Sequence, residues 1–88
     1  MTGVIGAFIL VQSKPGKAFN VAKSIEKLKG IEWACPVTGV YDVIAYVETP
    51  DMNSLSNLVI KQIQRTEGVE RSHTAMIMAG STKRHTKS

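Results

Sequence analysis

Eighty-eight residues make one small domain, too short for two independent cores. A composition of 43% hydrophobic and 20% charged residues is that of a folded chain and excludes global disorder. Three of the eleven basic residues, Lys83, Arg84 and Lys87, crowd the last six positions. Residues 1–79 therefore hold eight positive against seven negative charges, which gives no basis for a nucleic-acid surface on the folded part.

Cys35 is the only cysteine, so no intrachain disulfide can form, and a reducing compartment is expected. The apolar run at residues 4–11 follows no basic segment and precedes no small-residue cleavage site, so it reads as neither a signal peptide nor a membrane span. The expected location is the cytoplasm.

Residues 4–13 are rich in Val, Ile, Phe and Leu without polar alternation, the pattern of a strand covered on both faces. Pro15 and Gly16 open a helix whose apolar stripe is Ala18, Val21, Ala22, Ile25 and Leu28, and Gly30 ends it. Residues 31–38 read as a second strand and residues 41–48 as a third, joined through Gly39 and Val40 as an antiparallel hairpin. Pro50 stops the third strand. Asp51 or Asn53 then caps a second helix with the stripe Leu55, Leu58, Val59 and Ile63, ending at Gly68. A fourth strand covers residues 69–78.

The order is β-α-β-β-α-β, with a faint internal duplication behind it. "AFNVAKSIEKLKGIE" at residues 18–32 and "SNLVIKQIQRTEGVE" at residues 56–70 align with an offset of 38, matching Val21 to Val59, Ile25 to Ile63 and Gly30 to Gly68. The predicted class is α+β: a ferredoxin-like βαββαβ sandwich, a four-stranded antiparallel sheet with two helices on one face. Such a sheet leaves its other face bare, yet the first strand is apolar on both. An exposed apolar sheet is an association surface, so a dimer formed sheet to sheet is expected, with a monomer as the alternative.

Candidate chemistry is sparse. Cys35, His73 and His85 show no paired metal-ligand spacing, so no metal is expected, and no glycine loop of the phosphate-binding kind is present. No cofactor is implied. Pro36 and the apolar neighbours of Cys35 predict a small buried side chain. A catalytic reading pairs Asp42 with His73 as orienter and base, with nothing to fill a third role. His73 is expected toward a helix edge or solvent. The polar end, residues 80–88, reads as a basic flexible tail after a folded unit at residues 1–79.

Asp42 stands out because it opens an apolar strand. Beside it, Gly39 permits a tight turn and Tyr41 brings a ring with a polar tip. Ser72 and Thr74 on the fourth strand offer hydroxyls, and Met52 and Met76 offer adaptable apolar surface. This set suits an amino acid with a charged head and a variable side chain. The competing reading has Asp42 satisfying backbone donors in the turn, and the residues alone do not choose between the two.

"VTGVYDVIAYVETPDM" followed by "GVERSHTAMIM" resembles the effector-binding module of the Lrp/AsnC family of transcription regulators, the RAM (regulation of amino-acid metabolism) domain. The resemblance runs over residues 4–78. It implies an amino-acid effector, no enzymatic activity, and a dimer that assembles into octamer-like or decamer-like rings with effectors between dimers. Gly39, Tyr41 and Asp42 match the effector-contacting turn, Met52 matches a position linked to effector response, and Thr74, Ala75 and Met76 match the last-strand segment lining the cleft. Regulators of this family carry a helix-turn-helix before the module, whereas here the first strand starts a few residues after Met1. The expectation is a stand-alone RAM protein with no specific DNA contact of its own, acting through mixed assembly with full-length family members. Two alternatives remain: a small dimeric ferredoxin-like enzyme using Asp42 or His73, and an ACT-like regulatory domain.

Overall fold

A computed structural model describes residues 4–78. The element order is β1 (Ile5–Ser13), α1 (Ala18–Glu26), β2 (Ile31–Pro36), β3 (Val43–Thr49), α2 (Met52–Asn57), continued by a π-helical turn (Leu58–Ile63), and β4 (Val69–Met76). The strands form one antiparallel sheet in the order β2-β3-β1-β4, the ferredoxin-like arrangement. Residues 80–88, assigned above to a tail, lie outside the described residues.

The alternation of a strand explains which side the helices cover. Ala7, Ile9 and Val11 on β1 and Val43, Ala45 and Val47 on β3 are all fully buried. They meet Val21, Ala22 and Ile25 of α1 and Leu55, Leu58 and Ile63 from the second helical segment in one core. The helix stripes predicted from the sequence are the ones that pack.

Several boundaries differ from expectation. β3 begins at Val43, leaving Asp42 in the bend before it, because the β2–β3 connection is longer than a two-residue turn. The second helix is not regular throughout. Gln64 N–H donates to Val59 O at 3.0 Å, a five-residue step that widens the turn. Leu58 and Ile63, five apart, are both buried as that step requires. Asp51 rather than Asn53 caps α2, its Oδ1 accepting the Ser54 N–H at 2.8 Å. Cys35 is exposed, against the expectation of burial. It faces away from the helices beside Ile44, and what its apolar neighbours signalled was the open face of the sheet rather than the core.

That open face is apolar and aromatic. Phe8, Trp33 and Tyr46 form a cluster with ring centroids 5.2–6.3 Å apart, and Leu10 and Ile44 extend it along β1 and β3. The Tyr46 hydroxyl donates to Glu48 Oε2 at 2.9 Å, and this bond to a carboxylate, then burial, holds the phenol above its ordinary value.

Candidate functional site

The eight residues singled out from the sequence fall into separate groups. Gly39, Tyr41 and Asp42 lie at the end of the sheet where β3 begins. Asp42 is bound there by three backbone interactions. Its N–H donates to Val11 O at 2.8 Å, its C=O accepts from Val37 N–H at 2.8 Å, and its Oδ2 accepts from Ser13 N–H at 2.8 Å. The carboxylate thus fastens the β2–β3 connection to the end of β1. Gln12 adds a bond from Nε2 to Val40 O at 3.2 Å. Gly39 takes φ +144°, backbone that favours glycine, and no atom lies within 4 Å of where a Cβ would stand.

Tyr41 meets His73 edge to face at 5.7 Å between centroids. His73 pairs with Leu10 on the open face, exposed to solvent and away from any helix edge. The Asp42 carboxylate bonds Ser13 instead, so the structure does not assemble an Asp42–His73 dyad.

The second group lies on the other side of β4. Ser72, Thr74 and Met76 share the face of Val11, Ile9 and Ala7, the helix side, whereas Ala75 pairs with Phe8 on the open face and is separated from them. Ser72 accepts from Gln64 Nε2 at 3.4 Å. Thr74 and Met76 join Met52 in a cleft of about 240 Å³ between the second helical segment and β4. Its remaining walls are Leu55, Ser56, Val59 and Ile60, none of them chosen from the sequence. Ile60 left a readable signal: an apolar residue outside the buried stripe, 58% exposed. Leu55 and Val59 were assigned to the core, and the cleft uses their outer edges.

Ser72 pairs with Val11, the residue bonded to Asp42, whereas Met76 at the cleft pairs with Ala7, four residues further along β1. At about 3.3 Å per residue that is roughly 13 Å, more than a small amino acid spans. Among the described residues no three His, Cys, Asp or Glu side chains are placed to hold a metal ion. No described helix is long and apolar enough to cross a membrane.

The described residues thus present a bare apolar sheet face and an apolar cleft at an edge strand. Comparison with known proteins gives the class. The model of the Lrp/AsnC ligand binding domain matches residues 6–87, and the chain belongs to that family. The HTH-type transcriptional regulator FL11 of Pyrococcus furiosus is 33% identical over 72 residues, covering 82% of this chain and 47% of that protein. The chain thus spans about half the length of the curated relatives it matches. TTHA0845 from Thermus thermophilus superposes with a TM-score of 0.81 at 30% identity, over 86% of this chain and 95% of that one. A likeness of fold extends to the transcriptional regulator NMB0573 from Neisseria meningitidis, solved as a complex with L-Met. Its TM-score is 0.74 at 22% identity, over 88% of this chain and 51% of that one.

Proposed function

We infer that the chain is the effector-binding module of an Lrp/AsnC-type regulatory system: it binds a free amino acid and responds through its assembly, without turnover. The observation that carries this reading is the ligand-binding-domain match over residues 6–87, on a fold with an open cleft at β4. The L-Met complex of the Neisseria regulator supports an amino acid as the effector class. Transcriptional-regulator relatives and a single unpaired cysteine favour a cytoplasmic setting.

The module works as a dimer through the aromatic sheet face, and dimers assemble further into rings. This accounts for the split site: one protomer's Met52, Thr74 and Met76 meet the Gly39–Tyr41–Asp42 turn of a neighbouring dimer. The Asp42 Oδ1 atom has no partner among the described residues and is the acceptor left for an ammonium group. Occupancy then shifts assembly by the difference in affinity between oligomeric states.

Thermal unfolding against a panel of the common amino acids tests the reading. A ligand of the folded state at a hundredfold over its Kd adds about 2.7 kcal/mol. At about 4–8 °C per kcal/mol for a domain this size, the midpoint should rise by on the order of ten degrees. A panel that leaves the midpoint unmoved contradicts effector binding.

A further inference from the structure

We propose that the β4 cleft takes the uncharged, apolar side chain of a free α-amino acid, while the open edge of β4 meets its carboxylate. This deepens the effector-binding reading above and rests on it.

The walls set the side-chain class. Met52, Leu55, Val59, Ile60 and Met76 are apolar, and the only polar side chains at the cleft are the hydroxyl residues Ser56 and Thr74. No ionisable side chain lines it, so a Lys, Arg, Asp or Glu side chain entering would lose hydration without gaining a counter-charge. At about 240 Å³ the cleft lies below the roughly 300–1,000 Å³ of drug-sized ligand pockets, a size for one side chain rather than a larger metabolite. Its rim is apolar and exposed. Met52, Ile60 and Met76 are 48%, 58% and 44% exposed, and an apolar ligand would cover them. Two methionines among them give walls that adjust to unbranched or branched side chains.

The backbone supplies what the side chains lack. β4 is an edge strand, paired only with β1. Ile77 N–H donates to Gly6 O at 2.9 Å, so the groups of Ile77 face β1. In an antiparallel ladder these directions alternate, which turns the N–H and C=O of Met76, Thr74 and Ser72 to the free side. An amide N–H suits a carboxylate, and these free amides stand beside the apolar cleft, leaving the ammonium group to the neighbouring dimer's Asp42.

The test is calorimetric titration of the full chain with norleucine, methionine, lysine and glutamate, and with norleucine blocked at both ends. The free apolar amino acids should bind at least tenfold more tightly than lysine or glutamate, and blocked norleucine at least tenfold more weakly than free norleucine. In Ile60→Glu the order of norleucine and lysine should reverse. Met52→Glu, eight residues earlier in the same helical segment, should give the same reversal if Ile60→Glu fails to fold. Lysine or glutamate binding as tightly as norleucine overturns the side-chain assignment and leaves the effector reading standing. Equal affinity for blocked and free norleucine overturns the role of the β4 edge. No binding by any amino acid overturns both the inference and the reading beneath it.

Discussion

Asp42 Oδ2 accepts the Ser13 N–H, a structural duty, and the proposed function gives Oδ1 a second one, toward a ligand's ammonium group. Of the two readings that the sequence leaves open for Asp42, the structure shows the structural one, and the ligand-binding one is our proposal. Two substitutions separate the duties. Asp42→Asn keeps an acceptor for Ser13 and removes the charge, so its melting should match the parent while amino-acid binding falls at least tenfold. Asp42→Ala leaves a half-buried backbone donor unmet and should lose about 1 kcal/mol, read by denaturant unfolding. Parental binding in Asp42→Asn would confine Asp42 to its structural part. The polar partner was hard to foresee because Ser13 lies 29 residues away and is brought near only by sheet pairing. His73 is the converse case. Its spacing from Asp42 allows a dyad, but strand register sends it to the open face against Tyr41.

At the level of elements, periodicity located both helices and all four strands, because the apolar stripes at Val21–Ile25 and Leu55–Ile63 and the alternation of β3 report directly on burial. The π turn was not legible. Its signature is a backbone hydrogen bond from Gln64 to Val59, and a stripe spaced for a regular helix hides it. The cleft walls went unread for the same reason, since Val59 and Ile60 gain their place from that turn and from an edge strand distant in sequence. The predicted end of the second helix at Gly68 marks a tight approach. Gly68 has φ +96°, and a Cβ there would stand 2.7 Å from Val21 Cγ2 on α1. Gly68→Ala should therefore cost about 1–3 kcal/mol, lowering the midpoint by several degrees or more. Gly39→Ala, with positive φ but open space around it, should lose less. Equal losses would mean that backbone strain alone, without the Val21 contact, sets both.

For the whole molecule, the two-faced apolarity of β1 was the most informative feature in the sequence. One face, Ala7, Ile9 and Val11, became core, and the other, Phe8 and Leu10, became the open surface with Trp33, Ile44 and Tyr46. Burying that surface in a second copy removes apolar area from water at about 25 cal/mol per Å², a driving force for association that a domain this small gains little of from its own core. The aromatic partners were not foreseen as a cluster, because Phe8, Trp33 and Tyr46 come from three strands and meet only through register. The central claim joins this surface to the cleft: a self-associating module whose assembly answers to an amino acid. Sedimentation equilibrium of the full chain, with and without the amino acid that most stabilises it, tests that claim most directly. The parent should sediment as a dimer or larger, its distribution should shift with ligand, and Ile44→Asp should reduce it to a folded monomer. A parent that is monomeric at every concentration, ligand present or absent, would contradict the account.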